Sequence, residues 1–259
     1  MNFAVTADRT RLAWRSDGSG TPLLLIAGQA TALTGWEPIV PSLAEDFRVI
    51  RFDHRGVGES DDGPTGHLNT RDFAADALVV LDAAGVERAH IYGHSMGGRV
   101  AQWLAIDHPD RVGALILAAT SAGGFLGKNR DPDATRALTS GDPAQLEPLF
   151  FDADWATAHS SAVRTFFTSR ASKQAKRRHF RASTEHDARN LLGSLEAPTL
   201  ILHGTDDPLT PLDNALALRE LIPHSVLVKV AKGRHGFHLD HPETVDWIGQ
   251  FIARKAPHL

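Results

Sequence analysis

From Leu23 to Ala118 short continuous apolar runs alternate with amphipathic stretches. Leu23-Leu24-Leu25-Ile26-Ala27 is apolar at every position, which fits a strand buried on both faces of a parallel sheet. Phe47–Phe52, Ala89–Tyr92 and Val112–Ala118 read the same way. Between them the helical period appears in Asp72–Ala84 (Phe73, Leu78, Val80, Leu81) and in Arg99–Ile106 (Val100, Trp103, Leu104). A further helix is expected over about Trp36–Asp46. Residues 2–6 and 11–15 suit two short strands around a polar turn. Such alternation predicts βαβ units and a mainly parallel sheet.

The pattern stops at Thr120. Ser121–Leu192 holds no clear strand; it gathers aromatics (Phe125, Phe150, Phe151, Trp155, Phe166, Phe167, Phe180) between turns at Asp131-Pro132-Asp133 and Gly141-Asp142-Pro143. This stretch is expected to be a helical insertion lying across the sheet edge. The basic run Lys173–Arg178 in it fits a solvated helix face. Strand and helix resume with Thr199–Leu202, Leu212–Leu221, Ser225–Val230 and Pro242–Ala253. The expected division is a core of residues 1–120 and 193–259 with an insertion at 121–192.

Composition narrows the chemistry. The chain has 259 residues, 42% hydrophobic and 22% charged, with a net charge of −4. That is globular composition with no global pull toward nucleic acid or an anionic membrane surface. It has no cysteine, which excludes disulfides, thiolate metal sites and a cysteine nucleophile. No basic segment followed by an apolar run opens the chain, and no stretch approaches a membrane span, so a cytoplasmic protein is expected.

The densest chemical signal is Gly93-His94-Ser95-Met96-Gly97-Gly98, between a buried strand and an amphipathic helix. A serine on so sharp a turn is crowded on both sides, and glycines relieve the crowding. The Ser95 hydroxyl then stands above the sheet, and the Met96 N–H can face an oxyanion. A serine needs a base, and the base needs an orienting group. In an open parallel sheet, sites gather at the carboxyl ends of strands. Asp207 follows the Thr199–Leu202 strand and His235 the Ser225–Val230 strand, so both qualify.

These features together resemble the α/β-hydrolase fold serine hydrolases, of the esterase and enol-lactonase kind. The resemblance rests on the serine motif, on Asp53-His54-Arg55-Gly56-Val57-Gly58-Glu59-Ser60, on Gly204-Thr205-Asp206-Asp207-Pro208, and on His235 through His241-Pro242-Glu243. It spans residues 23–254. It implies a mainly parallel eight-stranded sheet flanked by helices, with a helical cap inserted after strand 6 at Ser121–Leu192. It also implies a Ser95–Asp207–His235 triad, since the family's acid lies three residues after the glycine. Its histidine lies two after a glycine and seven before the proline. Asp206 is then a turn-former or helix cap, His238 a pocket-edge or surface residue, and His241 a helix-cap neighbour. The H-x-x-H-x-x-H spacing is not read as a metal site, because the segment turns from loop into helix.

The resemblance implies a second oxyanion donor at the N–H of Gln29, where Ala27-Gly28-Gln29 replaces the family's frequent His-Gly. His94 is expected to be structural, and His54 and Arg55 to belong to a structural turn. Trp36, Phe125, Phe150, Trp155, Phe166, Leu209 and Phe237 are candidate pocket residues. The expected activity is hydrolysis of a carboxylic ester or lactone of a mainly apolar small molecule, with no metal or cofactor. Two alternatives stay open: an enol-lactone or carbon–carbon bond (β-diketone or dienone) hydrolase, and a slow-turnover ligand-binding receptor. The expected partner is a small-molecule substrate, with no nucleic acid and no membrane, for a monomer or homodimer.

Overall fold

The computed structural model describes residues 1–124 and 127–256. Eight strands form one sheet: β1 Asn2–Val5, β2 Arg11–Asp17, β3 Thr21–Ile26, β4 Phe47–Phe52, β5 Ala89–His94, β6 Val112–Ala118, β7 Thr199–Gly204 and β8 Val226–Val230. Their order is β1-β2-β4-β3-β5-β6-β7-β8. β1 pairs antiparallel with β2, and β2 with β4. Every other neighbouring pair is parallel.

The helices are α1 Val40–Leu43, α2 Thr70–Ala83, α3 Met96–Asp107, α4 Pro132–Ser140, α5 Pro143–Phe150, α6 Ala153–Ala158, α7 Ser160–Phe167, α8 Lys173–Glu185, α9 Asp213–Leu221, α10 Phe237–Asp240 and α11 Glu243–Lys255. None among the described residues is long and apolar enough to cross a membrane. α2 starts earlier than its apolar pattern because Asn69 and Asp72 form a reciprocal capping box. The helix expected over Trp36–Asp46 is instead a 3₁₀ turn at Leu33–Trp36 followed by the four-residue α1. Pro38 and Pro41 lie inside that span; each lacks an N–H and disfavours helix in the residue before it.

The apolar run of β3 divides between two cores. Leu23 and Leu25 join the cluster built with α1 and α11, while Leu24 and Ile26 join the one built with α2, α3 and α9. All four side chains are fully buried, each worth roughly 2 kcal/mol of transfer free energy. Period-two burial on both faces is why the run shows no polar alternation.

The Asp53–Ser60 turn carries structure. Asp53 accepts from the N–H groups of Leu33 (2.7 Å) and Glu59 (3.0 Å), and the Ser60 hydroxyl donates to the Asp53 carbonyl at 2.7 Å. Arg55 forks onto Asp76 at 2.6 and 2.7 Å in a buried bidentate pair. Gly58 has φ +57°, and a Cβ there would fall on the Asp53 carboxylate.

Candidate active site

Five helices, α4 to α8, connect β6 to β7 and lie over the carboxyl ends of the central strands. Beneath them Ser95 sits between β5 and α3 with φ 56° and ψ −118°. That backbone conformation is costly for a non-glycine residue and is held by its surroundings. A Cβ on Gly93 would fall on the Gly97 carbonyl, and one on Gly97 on the Ile26 carbonyl, so only glycine fits at either place.

Three side chains expected from strand ends converge here. The Ser95 hydroxyl lies 2.9 Å from His235 Nε2, and His235 Nδ1 lies 2.8 Å from Asp207 Oδ2. The Nδ1–H donates to the carboxylate, which leaves Nε2 bare to accept from the hydroxyl. The other Asp207 oxygen accepts from the N–H groups of Leu209 and Thr210, both at 2.8 Å. Burial opposes ionisation of Asp207, but the His235 charge and hydrogen bond, with His203 and the Thr210 N–H, hold its carboxyl below the usual range. Asp206 is exposed and accepts from the neighbouring Thr205 hydroxyl, as a turn residue does.

The Ala27-Gly28-Gln29 loop is pinned from above. The Ala30 N–H donates to His179 Nδ1 at 3.1 Å, and the Thr31 N–H donates to the Gly28 carbonyl at 3.3 Å. His179 in turn reaches the Arg55 carbonyl at 3.3 Å, so α8 clamps this loop to the Asp53–Ser60 turn. A Cβ on Gly28 would stand 3.3 Å from the Ser95 Cβ, which shows how closely the loop passes the serine. The N–H groups of Gln29 and Met96 have no acceptor among the described residues.

His94 is structural, as expected: its Nε2–H donates to the His235 carbonyl at 2.7 Å. Burial, then the His235 charge, pushes its pKa down to about 3. His238 departs from expectation. It is fully buried, neither at the pocket edge nor on the surface, with its ring 4.3 Å from that of His94 and 5.0 Å from that of Trp36. The turn of α10 at Phe237 carries it inward. His241 bonds Asp240 at 2.7 Å, so the three histidines of the spacing point to different partners.

Ser95 opens into one cavity, which adjoins larger ones. It is narrow, about 30 Å³, and is lined by Ser95, His235, Gln29, Leu138, Phe150 and Leu209 among others. It continues into an apolar cavity of about 220 Å³ under Leu146, Phe150, Phe166, Phe167 and Phe180. Of the candidate pocket residues, Phe150, Phe166 and Leu209 therefore line the cleft. Trp36 and Phe237 do not: both are sealed in the core beneath it. Trp155 stacks on His159 at 4.6 Å, off the cleft, because α6 turns that face away. Phe125 lies outside the described residues. Gln29 also lines the cleft.

Sequence reasoning missed Arg99, Arg130, Ser183 and Thr31, all on the walls near Ser95. Arg99 had a signal: it lies four residues after Ser95, one helical turn on and on the same face. The basic run of α8 was read as solvated; Lys173, Lys176 and Arg177 are exposed, but Arg178 is buried and donates to the carbonyls of Asp62 (2.7 Å) and Pro64 (3.0 Å).

Residues 21–242 match the family described as alpha/beta hydrolase fold. A protein of Azorhizobium caulinodans named as a candidate carbamate hydrolase, RutD, is 32% identical over 243 residues, covering 90% of this chain and 91% of the relative. Among solved structures, the enol-lactonase from Burkholderia xenovorans LB400 superposes with a TM-score of 0.84 at 25% identity, covering 97% of this chain and 100% of that one. Esterase RhEst1 from Rhodococcus sp. ECU1013 does so with 0.84 at 28% identity, covering 98% of each.

Proposed function

This chain belongs to the α/β-hydrolase family and is a hydrolase, and from that premise we propose that it cleaves a carboxylic ester or lactone through an acyl-enzyme on Ser95. The observation that carries the reading is the hydrogen-bond chain from Ser95 through His235 to Asp207, at 2.9 and 2.8 Å. His235 Nε2 takes the Ser95 proton as Oγ attacks the carbonyl carbon. Asp207 holds the imidazole in the tautomer that exposes Nε2, and stabilises the imidazolium that forms. The unpaired N–H groups of Gln29 and Met96 receive the oxyanion, each worth roughly 3 kcal/mol in the transition state. His235 then protonates the leaving oxygen, and water repeats the cycle to release the acid.

Residues 1–120 with 193–259 act as the catalytic core, and 121–192 as a cap that selects substrate. The apolar cavity under that cap supports an acyl or alkyl group as one part of the substrate. Carbamate esters present the same kind of carbonyl, so the name of the Azorhizobium relative fits this site as one arm of a substrate panel.

Ser95→Ala tests the reading. Hydrolysis of p-nitrophenyl butyrate should fall by roughly 10⁴-fold or more, and an organophosphonate should label Ser95 and no other residue by mass spectrometry. Retained turnover in the variant would overturn the nucleophile assignment.

A further inference from the structure

A third cavity adjoins the narrow one and has a different character. It measures about 280 Å³, and its lining includes Arg99, Lys128, Arg130, Ser183 and Asn214 together with Phe180 and Leu209. Arg99 and Arg130 also line the narrow cavity that holds Ser95 and His235. The narrow cavity therefore adjoins both an apolar arm and a cationic arm.

The two arginines lack counterions. Arg55, Arg71, Arg111 and Arg189 all pair with aspartates. Arg99 makes no ion pair among the described residues; it is held by the Ser183 carbonyl and hydroxyl and, at 3.1 Å, by the Ser121 hydroxyl. These bonds use its terminal nitrogens and leave Nε buried without a partner. Arg130 makes no hydrogen bond or ion pair among the described residues, and its Nη1 is likewise buried and unpartnered. Burial, with the like charge of Arg130, pushes the Arg99 guanidinium down to about 10. The acid whose charge reaches Arg130 is Asp207, and its two oxygens are already taken by His235, Leu209 and Thr210. Two adjacent, partly desolvated cations are unfavourable unless an anion joins them. Free guanidinium N–H groups match the two oxygens of a carboxylate in geometry and charge.

We propose that Arg99 and Arg130 bind a free carboxylate of the substrate, so that the natural substrate is a monoester or lactone of a carboxylate-bearing acid. The inference rests on the hydrolase reading of Ser95. The scissile carbonyl occupies the narrow cavity, the carboxylate the cationic arm, and the hydrocarbon part the apolar arm.

The test uses paired esters: p-nitrophenyl hydrogen adipate and suberate against the corresponding methyl p-nitrophenyl diesters. The wild-type kcat/KM ratio of acid over methyl ester should be at least about tenfold, since a hydrogen bond to a charged group contributes that much or more. Arg130→Gln and Arg99→Gln should each cut the ratio by roughly 10- to 100-fold, and Arg130→Lys should restore part of it. If Arg99→Gln does not fold, the Arg130 variants carry the test. A wild-type ratio near one, or equal losses on both esters, overturns the carboxylate arm. Calorimetric binding of monomethyl adipate to the Ser95→Ala protein separates the two readings. Binding that weakens on adding Arg130→Gln upholds the arm even if no ester is cleaved. Ser95-dependent cleavage of the methyl esters without such binding upholds the hydrolase and removes the arm.

Discussion

The floor of the cleft and its roof are built by different physics. On the floor every group of the proposed reaction stands at the carboxyl end of a strand: Gln29 after β3, Ser95 after β5, Asp207 after β7 and His235 after β8. Ladder hydrogen bonds between parallel strands fix those ends relative to one another. The roof is positioned by side-chain packing and a few ties. Phe150 meets His235 edge-on, with ring centroids 5.0 Å apart and planes at 89°. The N–H groups of His235 and Gly236 donate to the carbonyls of Leu149 and Phe150 at 3.2 and 2.8 Å. On the proposed reading the floor carries the reaction and the roof selects what enters. A perturbation of each should therefore read out differently.

The largest effect belongs to the floor. Asp207→Asn should lower kcat by roughly 10⁴-fold, because an amide cannot hold the His235 tautomer that leaves Nε2 bare. Asp206→Asn, one residue away, should change kcat by about twofold at most, as exposed substitutions do. Steady-state kinetics on p-nitrophenyl butyrate decides between them. The reverse ranking would move the acid off the position fixed by the β7 end and break the distinction.

This contrast also sorts what was legible in the chain. The apolar runs of β3 to β6 locate the sheet because a doubly buried strand admits no polar position. The order of Ser95, Asp207 and His235 follows from where open sheets place their sites. The roof was legible as a helical insertion from its lack of a strand pattern, and the turns at Asp131-Pro132-Asp133 and Gly141-Asp142-Pro143 supply the caps of α4 and α5. Its facing was not. Helices of six to nine residues carry too few positions to define an apolar stripe, so Trp155 was assigned to a cleft it does not line. Arg130 sits in a loop whose sequence has no period at all, and only the fold brings it to Ser95. His238 reads as a pocket-edge or surface residue until α10 turns it under Trp36.

Acid should strike floor and roof together. Burial, the largest cause in each case, holds His54 and His90 down to about 4, and His94, His179 and His186 down to about 3, from an ordinary 6.5. His203 and His238 are lowered as well. The unfolded chain protonates these groups near pH 6.5 while the folded chain does not. Their contribution is thus complete above pH 6.5 and is lost as pH falls toward 4, at up to about 1.4 kcal/mol per pH unit for each histidine. His179 and His186 dock α8: the first holds the Ala30 N–H, the second lies 2.9 Å from the Thr70 hydroxyl and 3.2 Å from Gln102 Oε1. Circular dichroism melts should show Tm falling by roughly 10 °C or more between pH 7 and 5, in one transition. A flat Tm over that range would contradict the buried neutral histidines, and a separate early transition would show the roof detaching alone.

The smallest effect sharpens the comparison most. Phe167 is half-buried, lines the apolar arm, and packs on Phe166 and Phe150 at 5.2 and 5.4 Å between ring centroids. It touches none of the reacting groups. Phe167→Ala should raise KM for p-nitrophenyl octanoate by about fivefold, about 1 kcal/mol of lost apolar contact, and change KM for the acetate by less than half of that factor. The loss belongs in KM because the contact is made equally in the ground and transition states. Should kcat on the acetate fall instead, the aromatic cluster would be acting through Phe150 on the His235 ring. Placing the base would then belong to the roof as much as to the end of β8.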